Sequence, residues 1–99
     1  MDAEIRRLAI AAGQAAHAEH VLLFGSQARG DATPGSDVDL ALVIPDKDEP
    51  RAALRAAIRA TADRNRPLDL VIFSHSTWVE GNSLLARKVR EEGVLAYGS

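Results

Sequence analysis

Apolar residues follow two different spacings along the chain, and the changes between them mark the predicted secondary structure. Between Asp2 and about Glu19 they recur every three or four positions, which predicts a helix with Asp2 as its N-cap. Spacing and composition predict further helical segments at Gln27–Arg29, from Pro50 to about Arg64, and at Ser83–Glu92. Short apolar runs predict strands at Val21–Phe24, Val38–Ile44 and Leu68–Phe73, and a short edge strand at Val94–Tyr97.

The connections between these strands predict how the strands pair. The segment from Ser26 to Ser36, with a type II turn predicted around Pro34 and Gly35, is shorter than a parallel crossover, so the first two strands are expected to be antiparallel. The second and third strands flank a predicted helix, which favours a parallel, right-handed crossover. The predicted fold class is α+β, with a small mixed sheet, helices mainly on one side, and one domain over residues 1–99.

Composition narrows the class of protein. Cysteine is absent, which excludes disulfides, thiol catalysis and thiolate metal sites. No apolar run is long enough for a membrane helix, and Asp2 and Glu4 argue against a secretory leader, so the cytoplasm is the expected compartment. The net charge of −2 argues against nucleic acid as a direct partner, because non-specific phosphate binding is typical of basic proteins.

Two carboxylates stand at the start of the second predicted strand. Asp37 and Asp39 are two residues apart, so their side chains are expected on the same face. Neighbouring carboxylates repel each other and are costly to desolvate, and a divalent cation removes both penalties. Mg²⁺ is the favoured ion because it accepts a few carboxylate oxygens together with water and substrate phosphates. A pair of solvated strand-end carboxylates is the alternative for this pattern alone.

Two further segments are expected at the same edge of the sheet. Gly25 and Ser26 follow the first strand, where glycine allows close backbone approach and Ser26 offers donors to phosphate, or alternatively caps a helix. Asp69 interrupts the apolar run of the third strand and would pair with an arginine if it had no other role. Three carboxylates beside a phosphate-binding turn predict a two-metal site for displacement at phosphorus.

Three motifs, taken in order, resemble those of the minimal nucleotidyltransferase (MNT) family, within the DNA-polymerase-beta-like nucleotidyltransferase superfamily. The resemblance extends from about Val21 to the C-terminus, and each motif is weak alone but specific in combination with the others. The motifs are Gly25-Ser26-Gln27-Ala28-Arg29-Gly30, Ser36-Asp37-Val38-Asp39-Leu40 and Leu68-Asp69-Leu70-Val71.

The first motif implies a nucleotide site. By resemblance, Gly25 and Ser26 hold the β- and γ-phosphates of a nucleoside triphosphate. Arg29 matches the arginine of the family signature and would contact phosphate or a partner, with a salt bridge to Asp31 or Asp37 as the alternative.

The other two motifs imply the reaction. Asp37 and Asp39 match the metal-binding carboxylates, and Asp69 matches the third carboxylate, which binds the catalytic metal and helps to activate an acceptor hydroxyl. The resemblance therefore implies a nucleotidyltransferase that uses two Mg²⁺ ions to transfer a nucleoside monophosphate, AMP from ATP, to a hydroxyl.

The family also implies a partner. Small MNT proteins resembling this chain are commonly antitoxins that neutralise a helical HEPN ribonuclease toxin by AMPylation of a tyrosine. For this chain, both a homo-oligomer and a hetero-oligomer stay open. One alternative is an antitoxin that acts through contact alone, with nucleotide as a structural ligand. The other is a small-molecule or RNA nucleotidyltransferase, which usually carries an added helical acceptor domain.

Several conspicuous residues receive no catalytic role. Arg51, Arg55 and Arg59 form a stripe that is expected to be a solvated helix face, with RNA or an acidic partner as the alternative. Trp78 is expected to cover the edge of the core, with an interface as the alternative, and Tyr97 is expected to pack.

Overall fold

Five helices and four strands make up most of residues 1–33 and 35–98, which are the residues described by the computed structural model. The helices are α1 (Ala3–Ala16), α2 (Ser26–Arg29), α3 (Pro50–Ala60), α4 (His75–Glu80) and α5 (Leu84–Glu92). The strands are β1 (His20–Phe24), β2 (Val38–Ile44), β3 (Leu68–Ser74) and β4 (Val94–Gly98). None of these described helices is long and apolar enough to cross a membrane.

Helix α1 begins as predicted and ends earlier. The Asp2 side chain accepts a hydrogen bond from the Ile5 N–H at 2.8 Å, which satisfies one of the free donors of the first turn. The helix ends at Ala16 and does not continue to Glu19, because His17 adopts the left-handed conformation with φ 56°. Alanine-rich sequence favours helix in general, so composition alone did not mark this end.

Helix α3 is also shorter than predicted. It begins at Pro50 as expected but ends at Ala60, whereas the sequence suggested about Arg64. Thr61 leaves the helical conformation, and its buried hydroxyl donates a hydrogen bond to the Ala57 carbonyl at 2.8 Å. A threonine hydroxyl that competes for a helix carbonyl is a local reason for the helix to stop.

Helix α4 was not predicted, because the polar segment after the third strand lacks helical apolar spacing. The Ser74 hydroxyl accepts a hydrogen bond from the Thr77 N–H, and Gly81 closes the helix with φ 65°. A serine before the segment and a glycine after it are the usual residues for a helix N-cap and C-terminal cap. These two capping residues were the sequence signal for α4.

The sheet pairs β1 with β2 and β2 with β3 as predicted. Its strand order is β3-β2-β1-β4, with β1 antiparallel to both β2 and β4, and β2 parallel to β3. In the connection before β2, the Thr33 carbonyl accepts a hydrogen bond from the Ser36 N–H at 3.0 Å, and Gly35 has φ 89°. The predicted turn type also depends on Pro34, which lies outside the described residues.

Strand β2 lies between two hydrophobic layers, one on each face of the sheet. One layer packs β2 against α1 and α3, and its largest fully buried side chains are Leu8, Val21, Val38, Leu40, Leu42 and Ile44. The other face carries a smaller cluster, formed by Phe24, Ala41, Val43, Phe73, Ala86 and Val89. The longer helices α1 and α3 therefore share one side of the sheet as predicted, while the shorter α4 and α5 lie on the other.

Trp78 and the α3 arginines, which received no catalytic role, have structural or exposed positions. Trp78 covers the smaller cluster, with its ring centroid 5.8 Å from that of Phe73 and the Arg90 guanidinium 5.0 Å from its centroid. The α3 arginines are all exposed, as expected for a solvated face: they are Arg51, Arg55 and Arg59.

Gly13, in the last turn of α1, lies against the Tyr97 ring. A Cβ atom at this position would lie 2.5 Å from Tyr97 Cδ2 and 2.8 Å from Cε2. Alanine is favoured over glycine in a helix by about 1 kcal/mol, but overpacking a core costs about 1–3 kcal/mol. We therefore expect Gly13→Ala to lower the free energy of unfolding, measured in urea, relative to the wild type. In a Tyr97→Ala background, where the ring is absent, we expect Gly13→Ala to raise it relative to Tyr97→Ala alone. Stabilisation by Gly13→Ala alone would contradict this packing.

Candidate active site

The predicted acidic residues meet at one edge of the sheet. Asp39 on β2 and Asp69 on β3 are direct register partners, and Asp37 stands two residues before Asp39. Register partners on adjacent strands project from the same face, here the face that continues to Ala41 and Val43. Asp37 and Asp69 are exposed and Asp39 is half-buried, so the group opens to solvent at the start of both strands.

The environment disfavours the charge of the central carboxylate. Burial, and then the negative charges of Asp69 and Asp37, raise the pKa of Asp39 above its ordinary value. The positive charges of Lys88 and Arg29 partly offset this effect. Asp39 is thus held among like charges, which is the situation that a bound cation would relieve.

Gly25 lies against this carboxylate. It follows β1, whose last residue Phe24 is the register partner of Asp39. Its backbone has φ 74° and ψ −156°, a region that is essentially restricted to glycine. A Cβ atom at Gly25 would overlap the Asp39 carboxylate oxygen. Both the backbone conformation and the contact therefore require glycine here.

Ser26 begins the single turn α2, next to Gly25. The Gly25 carbonyl accepts hydrogen bonds from the Ala28 and Arg29 N–H groups, each at 3.1 Å, which forms the turn. The N–H groups of Ser26 and Gln27, and the Ser26 hydroxyl, donate no hydrogen bond to any described residue. The alternative of Ser26 as a helix cap is wrong, because the cap position is occupied by Gly25.

Arg29 forms ion pairs at the other end of α2. Its Nε lies 3.2 Å from the Asp31 carboxylate, as in one of the expected alternatives, and its Nη1 lies 3.2 Å from the Glu92 carboxylate. Hydrogen bonds to these two groups raise the pKa of the guanidinium. A phosphate contact by Arg29 stays a prediction.

Comparison with known proteins identifies the family. A family model for the nucleotidyltransferase domain matches residues 12–96, which is most of the chain. The chain belongs to this nucleotidyltransferase domain family. The nucleotidyltransferase membership predicted from the three motifs is therefore confirmed. No curated protein matches the sequence.

Solved structures share the nucleotidyltransferase fold. A toxin–antitoxin crystal structure with AMP-PNP is 23% identical, with a TM-score of 0.62, over 83% of this chain and 62% of that chain. A mutant of the MntA–HpeT toxin–antitoxin is 20% identical, with a TM-score of 0.58 and the same coverage. A candidate nucleotidyltransferase from Sulfolobus solfataricus is 23% identical, with a TM-score of 0.58, over 93% of this chain and 80% of that chain. This nucleotidyltransferase domain thus spans less than two thirds of the two toxin–antitoxin chains.

Sequence reasoning missed two charged residues of the nucleotidyltransferase domain. Glu92 Oε1 accepts a hydrogen bond from the Gly25 N–H at 2.8 Å, and Lys88, one helical turn earlier on α5, contributes positive charge near Asp39. Both interactions join segments that are far apart in sequence, and neither residue belongs to a motif. The only local signal was their shared face of a predicted helix, which four-residue spacing implies.

The described carboxylates are suitable ligands for Mg²⁺ but do not form a complete metal site by themselves. In the described ranges, no group of three or more acidic or histidine side chains lies close enough to hold a metal by itself. Mg²⁺ is commonly bound by one or two carboxylates together with substrate phosphates. The register pair Asp39 and Asp69, with the raised pKa of Asp39, fits that mode of binding.

Proposed function

We propose that this chain is a Mg²⁺-dependent nucleotidyltransferase that transfers AMP from ATP to a hydroxyl group. The observation that carries the proposal is the register pairing of Asp39 with Asp69, beside a glycine that contacts Asp39. Family membership supports the class of reaction. The toxin–antitoxin structure with AMP-PNP supports an adenine nucleotide.

Each residue has a distinct task in this proposal. Ser26 donates hydrogen bonds to the triphosphate through its free hydroxyl and N–H. Asp37 and Asp39 would hold one Mg²⁺, and Asp69 would contribute to a second. Bound there, the ions would neutralise charge on the triphosphate and on the departing pyrophosphate. The acceptor oxygen forms a bond to the α-phosphorus as the bond to pyrophosphate breaks, and the Asp69 carboxylate accepts the hydroxyl proton.

We further propose that the acceptor is a tyrosine of a helical HEPN-type toxin and that the chain is its antitoxin. The two toxin–antitoxin structures that share the fold support this setting. The open edge that carries Asp37 and Asp69, both exposed, is compatible with an acceptor on a second protein. Positioning the acceptor in line with the leaving group is a large part of catalysis, and a docked partner can supply it.

Ligand binding is tested by thermal unfolding. A ligand that binds only the folded state at 100 times its Kd stabilises it by about 2.7 kcal/mol, which is a shift on the order of 10 °C for a chain of this size. We expect Mg²⁺ and ATP together to raise Tm by this order, and to raise it more than either alone. ATP with a chelator is the control. An unchanged Tm with the pair would remove the two-metal proposal.

The reaction itself is tested by incubating the chain with the product of the neighbouring gene, Mg²⁺ and each nucleoside triphosphate, and then weighing both proteins. We expect the partner to gain the mass of one AMP on a tyrosine, only with ATP. If Asp37→Asn still neutralises the partner toxin, the result would favour the alternative of an antitoxin that acts through contact alone. Modification of a free small molecule, with no mass gain on any co-purified protein, would favour the small-molecule alternative.

A further inference from the structure

One carboxylate holds both ends of the turn that carries Ser26. Glu92, the last residue of α5, places Oε1 2.8 Å from the Gly25 nitrogen. The same carboxylate lies 3.2–3.3 Å from Arg29 Nη1. Gly25 precedes α2 and Arg29 ends it, so Glu92 clamps α2 at its start and at its end.

The hydrogen bond between Gly25 and Glu92 is expected to restrain the backbone of Gly25 strongly. The Glu92 side chain is only 19% exposed. The hydrogen bond from the Gly25 N–H, together with Arg29, lowers the pKa of Glu92, so the carboxylate is ionised at neutral pH. Hydrogen bonds to an ionised acceptor are roughly twice as strong as neutral ones. This bond also removes the Gly25 N–H from the donors that can reach a ligand.

The position of Gly25 sets the position of the turn relative to the carboxylates. Glycine has more backbone freedom than any other residue, and Gly25 lies against Asp39. A loop with that freedom would sample several distances from Asp39. The hydrogen bond from Gly25 to Glu92 selects one of them.

We propose that Glu92 is a positioning residue of the nucleotide site. It holds the Gly25–Arg29 turn beside Asp39, so that the free donors of Ser26 and Gln27 face the triphosphate. This inference rests on the proposed function, because it assumes that a triphosphate binds there. It also assigns Arg29 an indirect role through its ion pair with Glu92.

The test compares Glu92→Ala, Glu92→Gln and the control Glu91→Ala, an exposed neighbour on the same helix. We expect Glu92→Ala to raise the Kd of ATP with Mg²⁺ about tenfold, and the KM for ATP by a similar factor with a smaller change in kcat. Glu92→Gln keeps an acceptor for the Gly25 N–H and is expected to raise Kd only about threefold. Glu91→Ala should leave Kd unchanged. Amide hydrogen exchange at Gly25, followed by NMR, should accelerate in Glu92→Ala alone.

The outcomes separate this inference from the proposed function. Suppose that the wild type binds ATP and that Glu92→Ala, measured at a temperature well below the Tm of the variant, has the same Kd. This result overturns the positioning role and leaves the proposed function intact. A wild type that binds no nucleoside triphosphate overturns both. If Glu92→Ala does not fold, Glu92→Gln decides: an unchanged Kd overturns the inference, and a threefold rise supports it.

Discussion

Replacing Asp39 with Asn is expected to abolish nucleotidyl transfer while leaving the unliganded protein at least as stable as the wild type. Asp39 is the half-buried member of the acidic group, and the negative charges of Asp69 and Asp37 act on it. Removing its charge relieves repulsion in the free protein and removes a ligand that the reaction needs. Loss of one preorganised electrostatic contact typically lowers kcat by about 10²–10³-fold. We expect a loss of at least that size.

The pH dependence of stability gives a second measurement on the same variant. The pKa of Asp39 is raised in the folded state, so its ionisation destabilises the fold above that pKa. The advantage of Asp39→Asn in free energy of unfolding should be largest at neutral pH. It should disappear as the pH falls through the folded-state pKa and below the ordinary value of 3.8, where Asp39 is protonated in both the folded and the unfolded state.

A matched control comes from the opposite end of β2. Asp48 lies in the loop after the strand, remote from Asp37 and Asp69, and Asp48→Asn makes the same chemical change. It should leave transfer unchanged. Unfolding of Asp39→Asn at neutral pH, with Asp48→Asn folded, would mean that Asp39 is a structural residue.

Replacing Gly25 with Ala is expected to damage both folding and nucleotide binding. The backbone region of Gly25 costs other residues about 1–3 kcal/mol, and the new Cβ would overlap the Asp39 carboxylate. The loop must move away from Asp39 to accommodate it. We expect the free energy of unfolding to fall by about that amount, and the Kd of ATP with Mg²⁺ to rise by at least about tenfold.

Gly30 offers a control for backbone strain alone. It also has a positive φ, 82°, but apart from Gly30 itself and its two chain neighbours no atom of the described residues lies within 4 Å of the point that a Cβ would occupy. Gly30→Ala should lower stability by about 1–2 kcal/mol and leave the Kd near the wild-type value. Equal Kd values in Gly25→Ala and the wild type would exclude Gly25 from the nucleotide site.

The topology and the acidic group could be predicted because they depend on local quantities. Connection length separates antiparallel from parallel pairing, and two-residue spacing places Asp37 and Asp39 on one face. Given parallel β2 and β3, Asp69 had to lie at the same edge, and the register pairs it with Asp39.

The missed features depend on contacts or on short capping signals. Helix α4 has only six residues, so its Ser74 and Gly81 caps carried the information that periodicity lacked. The role of Glu92 requires α5 to approach Gly25 across 67 positions of sequence. No residue pattern within α5 distinguishes Glu92 from its exposed neighbour Glu91. Such a contact follows only from how the helix packs on the sheet.

The outermost position of β3 in the sheet affects how an acceptor can reach the site. Asp69 is exposed on this strand, with β2 on one flank only. A folded protein could therefore present a side chain to Asp69 laterally, as a rigid body, without a hinge or lid movement in this chain. Under the proposed function, discrimination between acceptors would then depend on how two surfaces dock, and the rate of encounter would respond to their charges more than to the shape of a cavity.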